Sequence, residues 1–406
     1  MTDPNYKQLP PAEFPEVGGV RVFVPRPAAA LRAFLVDLGA IEARFASDAG
    51  DLERARPELP TSMRRRADRL LGGMAHDMGV MQAAVAPIRE AARGEAVEDD
   101  FIAWASIQTG LSLHDMFIYF YQDWAPAVEF ERVKRWFRDA VEQHCPRRAS
   151  VAVLGAGACG LAHALAAQFR QSYAVDLSLP TLLLAKRFIE GQPLALHLKQ
   201  ASWERVELNP PPAPPNPIQF VAANVTHLPF ADGSLSCVVT QCLFDIVDNP
   251  VQLAEEIQRV LEPRGVWINF SHAFDAPGDP IQLSPRKLEE VPLVLGPVGF
   301  DVLSLERKRF VMLDASGVDA EAARTDDEVH FFAMSKATGR APVARFRGLR
   351  ERFSSGDAGL WRTRPRTIPG KELSLSSTAS FGAGAQRRTE LRVGPYTMPI
   401  PAEYAG

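Results

Sequence analysis

Three glycines in one short segment give the strongest sign of chemistry in this sequence. The run Ser150–Leu154 (SVAVL) is apolar, and Gly155, Gly157 and Gly160 follow it in the spacing GxGxxG. Glycine lets the backbone turn tightly and approach a ligand, and the next helix begins with free N–H groups. The segment therefore predicts a strand, a ligand-binding loop and a helix. NAD, FAD and other adenosyl cofactors are all bound by such loops, so the loop alone does not identify its ligand.

A carboxylate follows the glycine loop at a useful spacing. Asp176 ends the second predicted strand, 16 residues after Gly160. A carboxylate at this position can accept hydrogen bonds from both ribose hydroxyls of an adenosyl group. NAD enzymes place an acid in a similar position, so Asp176 predicts a nucleoside ligand without selecting one cofactor.

Two later segments favour one cofactor. Residues 224–239 (NVTHLPFADGSLSCVV) resemble the segment GDAxxLPFxDxxFDxV of class I S-adenosylmethionine (SAM) methyltransferases, and residues 257–268 (IQRVLEPRGVWI) are similar to that family's LKPGG turn. The resemblance implies that SAM is the cofactor and that NAD is not. It also implies that the side-chain oxygen of Asn224 accepts a bond from the adenine amino group, and that Val225 frames the adenine.

A narrower resemblance covers about 215 residues. The sequence is similar to the carnosine N-methyltransferases, which methylate an imidazole nitrogen of a histidine-containing dipeptide. The similar segments are Gln122–Arg132 (QDWAPAVEFER), Ser178–Ile189, Cys242–Asn249 (CLFDIVDN) and Gly265–Asn269 (GVWIN), and the likeness ends near Lys336.

This resemblance implies roles for three residues. Asp245 corresponds to an acid that contacts the substrate imidazole, His272 to a histidine at the pocket, and Cys237 to a residue whose backbone meets SAM. A carboxylate that binds one ring N–H fixes the tautomer whose other nitrogen keeps its lone pair. The alternatives are that Asp245 is a helix N-cap and that His272 is structural.

The sequence also departs from that family. Tyr119 and Gln122 stand where the family has a Gln and an Arg that hold SAM, so the methionyl carboxylate needs another donor. Asp326 and Asp327 replace a tyrosine cluster that touches substrate, which predicts a more cationic substrate unless they are ordinary loop acids. Three alternatives stay open: methyl transfer to another natural-product or peptide nucleophile, a SAM-binding scaffold without catalysis, and an NAD-dependent oxidoreductase.

The elements that must position these residues predict an α/β fold. Short apolar runs alternate with helical segments between residues 150 and 336, which indicates a Rossmann-like, seven-stranded, parallel-dominated sheet with helices on both faces. Three regions are expected: a helical N-terminal region (1–121), the SAM-dependent methyltransferase domain (122–337), and an irregular C-terminal tail (338–406). Residues 341–406 contain 11 Lys and Arg against 5 Asp and Glu, so the tail is basic.

Composition narrows the function classes further. The 406 residues are 46% hydrophobic and 23% charged, with a net charge of −4, values typical of a globular protein that binds neither nucleic acid nor a membrane surface. The four cysteines form no Cys-x-x-Cys pair and no cluster with zinc-site spacing, so no metal is expected. We expect a cytoplasmic enzyme that acts on a small molecule or peptide. The oligomeric state is left open, a homodimer included.

Overall fold

The computed structural model describes two compact units. The described residues are 15–24, 27–92, 113–125, 128–198, 204–244, 246–247, 249–272, 287–313, 324–338, 390–393 and 396–399. The first unit spans residues 1–355 and the second spans residues 356–406. Every site residue that the sequence predicts has a number within the first unit.

A central sheet organises the first unit. Its strands are β1 (Glu16–Val17), β2 (Val20–Phe23), β3 (Ser150–Leu154), β4 (Gln171–Asp176), β7 (Ile218–Ala223), β8 (Leu235–Gln241), β9 (Leu261–His272), β10 (Phe300–Leu313) and β11 (Arg324–Lys336). They lie in the order β1-β2-β7-β4-β3-β8-β9-β11-β10. From β2 to β9 all neighbours are parallel, while β1, β11 and β10 pair antiparallel. The predicted Rossmann-like sheet is confirmed, but it has nine strands where seven were expected, because β1 and β2 extend it.

Helices cover both faces of this sheet. They are α1 (Pro27–Ala55), α2 (Thr61–Ala91), α3 (Leu113–Trp124), α4 (Val128–His144), α5 (Gly160–Leu165), α6 (Leu179–Ile189), α7 (Pro250–Val260) and α8 (Val291–Leu295). Along β3, Val151 and Val153 join the core under α2 to α6, while Ala152 and Leu154 join the core under α7 and α8. Alternation along a strand sends successive side chains to opposite faces, so β3 is buried on both sides.

Two hairpins in the first unit were not predicted from the sequence. β1 and β2 extend the sheet beside β7, so the N-terminal region is not wholly helical. Their turn needs Gly18 and Gly19, whose φ angles are +57° and +81°. A separate antiparallel pair, β5 (Leu194–Leu198) and β6 (Glu204–Leu208), lies between α6 and β7.

The second unit contains one regular element among its described residues. Among its described residues, β12 (Glu390–Val393) and β13 (Tyr396–Pro399) form an antiparallel pair. Val393 pairs with Tyr396, so the connection is only two residues long, and the sequence there is Gly-Pro.

The topology identifies one edge of the sheet as the place for a ligand. The chain leaves β3 toward β4 on one side, whereas β8 lies on the other side of β3. Ligands of open α/β sheets bind outside the carboxyl ends of the strands at such a reversal. Within the described part of the chain, no helix has the length and apolar character to cross a bilayer.

Candidate functional site

The glycine loop leaves the carboxyl end of β3 in a tightly curled backbone. Gly155 and Gly157 have φ angles of +66° and +51°, and Cys159 has +67°. A side chain at Gly155 would also meet Leu243, because a Cβ there would lie 3.1 Å from the Leu243 Cδ1. Glycine is therefore required at Gly155 both for its conformation and for the close approach of the neighbouring turn.

Asp176 holds this loop from the end of β4. The backbone N–H of Gly157 donates to its Oδ2 at 2.8 Å, and that of Ser178 donates to its Oδ1 at 2.8 Å. Burial raises the pKa of Asp176, while these N–H groups oppose the shift. A carboxylate has about four acceptor positions, and the Leu177 N–H also faces Asp176 and lowers its pKa, so at most two positions remain for ribose hydroxyls. That Asp176 binds the ribose stays a prediction.

The third glycine serves a contact that the sequence did not reveal. The N–H of Gly160 donates to Asp123 Oδ2 at 2.8 Å, and a Cβ at Gly160 would lie 2.8 Å from the Asp123 Cβ. Next to it, Trp124 Nε1 donates to the carbonyl of Ala158 at 2.9 Å. The end of α3 therefore clamps the cofactor loop, and only glycine fits at position 160. The signal was the Asp-Trp pair in the QDW segment.

The carboxylate of Asp123 is an unusual group at this position. Burial raises the pKa of Asp123 to about 7, although the Gly160 N–H and the positive charge of Lys134 lower it. Lys134 donates to the Asp123 carbonyl at 3.1 Å and its ammonium lies 5.6 Å from the Trp124 ring centre. This lysine therefore fixes the corner between α3 and α4, beside the loop.

The two residues that replace the family's Gln and Arg lie on the same helix. Tyr119 is exposed on α3, and Gln122 is half-buried directly before Asp123. The structure places Gln122 next to the clamp, whereas Tyr119 lies about one turn earlier.

On the adenine side of the site, the structure bears against one predicted hydrogen bond. Asn224 and Val225 follow β7, at the same edge of the sheet as Asp176. Asn224 Oδ1 already accepts the backbone N–H of Thr226 at 3.0 Å and its hydroxyl at 2.8 Å. An amide oxygen has two lone pairs, so this turn competes with the predicted bond from the adenine amino group.

Cys237 does not reach this edge. It pairs with Val151, near the amino end of β3, and it is fully buried. Gln241, at the end of β8, lies four positions further along the strand, which corresponds to about 13 Å. The Cys237 thiol lies inside the core, 3.8 Å from the carbonyl oxygen of Val238. The position does not support the predicted backbone contact with SAM.

The turn after β8 adjoins the glycine loop. Cys242 has a φ of +46°, its N–H donates to the Phe270 carbonyl at 2.7 Å, and the next residue, Leu243, packs against Gly155. Asp245 lies outside the described residues, between Phe244 and Ile246. The position of the N-cap on α7 is clear: the Asn249 side chain accepts the N–H of Gln252 at 3.0 Å. The alternative that Asp245 caps this helix is therefore wrong.

The neighbouring strand ends at His272, which is half-buried. A buried polar network fixes this end of β9 against β8. Trp267 Nε1 donates to Thr240 Oγ1 at 2.8 Å, Thr240 Oγ1 donates to Asn269 Oδ1 at 2.7 Å, and Asn269 Nδ2 donates to Ser271 Oγ at 2.9 Å. β8 and β9 are thereby held in register up to the pair Gln241–Phe270, two residues before His272.

Asp326 and Asp327 lie on a hairpin that projects past the same edge. β11 pairs with β9 only from Val329, opposite His272, while Arg324–Glu328 pairs with β10 alone. Five residues of strand extend about 17 Å beyond the end of β9. Asp326 and Asp327 belong to this extension, opposite Val311 and Phe310.

One family model and several solved structures are similar to part of this chain. Residues 153–269 match a family model described as a methyltransferase domain. No curated protein matches the chain. Similar solved structures include a Bacillus halodurans methyltransferase (16% identity, 50% of this chain and 98% of that chain, TM-score 0.35) and a Methanosarcina mazei SAM-dependent methyltransferase (15%, 48% and 97%, 0.36). Another is a Haemonchus contortus phosphoethanolamine N-methyltransferase in complex with S-adenosylhomocysteine (14%, 55% and 57%, 0.37).

The family match and the site lead to the same class of enzyme. The matched segment begins within β3 and ends within β9, so it contains the glycine loop, Asp176 and the turn after β8. The loop and Asp176 fit an adenosyl group, and the match favours SAM over NAD. Residues 153–269 form a SAM-dependent methyltransferase domain, and SAM is its cofactor.

Proposed function

We propose that this enzyme methylates an imidazole nitrogen of a histidine-containing small molecule or peptide. The observation that carries the proposal is the close approach of Leu243 to Gly155, because Leu243 lies two positions before Asp245 in the sequence. The resemblance of that turn and of β9 to the carnosine N-methyltransferases supplies the substrate class. SAM supplies an electrophilic methyl group on a sulfonium. The residues of this chain orient the imidazole and stabilise the charge that methylation places on it.

A neutral imidazole has one N–H and one nitrogen with a lone pair, and only the latter can attack a methyl group. Asp245 accepts the N–H, orients the ring and stabilises the positive charge that methylation places on it. The proton then leaves from that N–H, so the products are the methylated imidazole, S-adenosylhomocysteine and a proton. His272, at the end of the neighbouring strand, contacts the substrate from the other side.

The projecting hairpin supports a cationic substrate. Its backbone extends past the edge at which β8 and β9 end, so Asp326 and Asp327 lie on the element next to His272. Two carboxylates favour an acceptor with a free amino group. Histidine and β-alanyl-histidine should therefore be better substrates than their N-acetylated forms.

The test is the substitution Asp245→Asn, assayed on the preferred member of that panel. We expect turnover to fall at least about tenfold, because an orienting or general-base group contributes about 10²–10⁴-fold in rate. SAM affinity, measured by calorimetry, should stay near the wild-type value. Asp139→Asn, which neutralises an exposed acid on α4, is the matched control and should leave both unchanged.

Two outcomes contradict the proposal. Wild-type turnover in Asp245→Asn removes the orienting role. Methylation of a nucleophile other than imidazole, or SAM binding without turnover on the whole panel, supports one of the alternatives instead.

A further inference from the structure

A second group of polar side chains meets where α2 contacts the β5–β6 hairpin. His76 and Asp77 lie on α2, and His197 lies on β5, 120 residues after Asp77. One ligand atom from each of the three side chains lies within 4.8 Å of the others. Neither α2 nor β5 belongs to the strand ends that form the cofactor site.

Two of the three separations suit a tetrahedral metal ion, and the third requires the two imidazoles to move closer, since the three ligand atoms lie within 4.8 Å of one another. Asp77 Oδ1 lies 3.2 Å from His76 Nδ1 and 3.1 Å from His197 Nδ1. Zinc binds nitrogen and oxygen at about 2.0–2.1 Å, so two ligands on a tetrahedral ion lie about 3.3 Å apart. The imidazole–carboxylate separations therefore already match those around a bound ion. The ring centres of His76 and His197 are 4.9 Å apart, at an angle of 68°.

The surroundings allow an ion to enter. The Asp77 side chain is fully buried, the His197 side chain is 13% exposed, and the His76 side chain is 33% exposed. A carboxylate in the interior needs positive partners, because burial of an unpaired charge is costly. The exposure of His76 leaves a route for the ion and room for water as its fourth ligand.

A glycine in the middle of α2 permits this arrangement. A Cβ at Gly73, one turn before Asp77, would lie 3.0 Å from the Cβ and 3.1 Å from the Cγ of His197. Glycine within a helix costs about 1 kcal/mol relative to alanine. Its presence at position 73 lets the His197 ring lie directly against α2, where its Nδ1 faces Asp77.

We propose that His76, Asp77 and His197 bind a zinc ion that ties α2 to the β5–β6 hairpin. Two neutral imidazoles and one carboxylate carry a single negative charge and suit zinc, whereas magnesium and calcium prefer oxygen ligands alone. The expectation of no metal rested on spacing along the sequence, which cannot reveal ligands separated by 120 residues.

The experiment uses the full chain without a histidine tag, stripped with a chelator and titrated with zinc or cobalt. We expect one ion per chain, a rise in melting temperature, and visible absorption bands of tetrahedral cobalt. His76→Gln and His197→Gln should each weaken zinc binding about tenfold or more. His144→Gln, a histidine at the end of α4, is the matched control and should bind zinc as the wild type does.

The His76→Gln variant keeps the bond between Asp77 and the His197 backbone, so its fold is protected, and circular dichroism checks it. Equal zinc affinity in wild type and both variants overturns the proposal, as does a wild type that binds no stoichiometric ion. The three side chains are then a hydrogen-bonded cluster only. Chelation should leave SAM affinity unchanged, so this result is independent of the proposed methyl transfer.

Discussion

The glycine loop and the α2–β5 junction both depend on a buried carboxylate that accepts backbone N–H groups. At the loop, Asp176 accepts from Gly157, 19 residues earlier in the chain. At the junction, Asp77 accepts from His197 with both oxygens, at 3.0 and 3.2 Å. Each carboxylate fixes one segment of backbone against an element that is distant in sequence.

The surroundings of the two carboxylates differ. The hydrogen-bond donors described at Asp176 are backbone N–H groups, and its side chain lies at the edge of the sheet where we expect the cofactor. Asp77 also contacts two imidazoles. It accepts a backbone N–H on the edge of β5 that faces away from β6. An aspartate is therefore expected to bind a ligand at the loop, whereas an aspartate at the junction holds two elements together. The neighbouring groups determine the role.

The largest expected effect is on stability at the junction. In metal-free protein, Asp77→Ala should lower the free energy of unfolding by about 2–4 kcal/mol, because the His197 N–H loses its partner and a buried space opens. Urea unfolding measures this loss, and calorimetry should show SAM affinity near the wild-type value. A large loss of SAM affinity in the folded variant would break the distinction between the two regions.

At the loop the expected effect is on binding. Asp176→Ala should weaken SAM binding by about 1–3 kcal/mol, because the ribose hydroxyls lose their acceptor. The loss in unfolding free energy should be smaller than in Asp77→Ala. Calorimetry with S-adenosylhomocysteine measures the affinity, and an unchanged affinity contradicts the assignment of Asp176 to the cofactor site.

The smallest effect concerns Asp123, and it depends on pH. Its folded pKa of about 7 exceeds the ordinary value of 3.8, so between these pH values the folded chain keeps a proton that the unfolded chain has released. This contribution to stability is lost as the pH rises through 7. From pH 5 to pH 8, wild type should lose roughly 1–2 kcal/mol relative to Asp123→Asn. Urea unfolding of both proteins at pH 5 and pH 8, without SAM, measures this difference. An equal change in unfolding free energy in the two proteins would contradict the prediction.

Much of the fold could be predicted because its elements carry local signals. The bounds of β3 agree with the sequence prediction, and β4 ends at Asp176 as predicted. The β1–β2 and β5–β6 hairpins were missed, since strands of two to five residues in a helical or proline-rich context leave little periodicity. Their positions depend on long-range pairing, as between β2 and β7.

The site was predictable where one residue type is required by backbone geometry. Gly155 and Gly157 are recognised from their spacing. Asp123 is not, because its role depends on packing of α3 against a glycine that lies 37 residues later in the chain. Cys237 shows the opposite error: its motif suggests a contact, but strand register keeps it in the core. The cluster of His76, Asp77 and His197 also arises from tertiary packing alone.

The β1–β2 hairpin has a consequence for how copies of this protein behave toward one another. Without it, β7 would be the outer strand, a run of apolar residues with a row of unpaired backbone groups that invites edge-to-edge aggregation. β2 occupies that edge, and β1 leaves only two residues, Glu16 and Val17, as the new outer strand. At the opposite margin, β10 carries the charged run Glu306–Arg309. A short strand at one margin and charge at the other both disfavour polymerisation through the sheet.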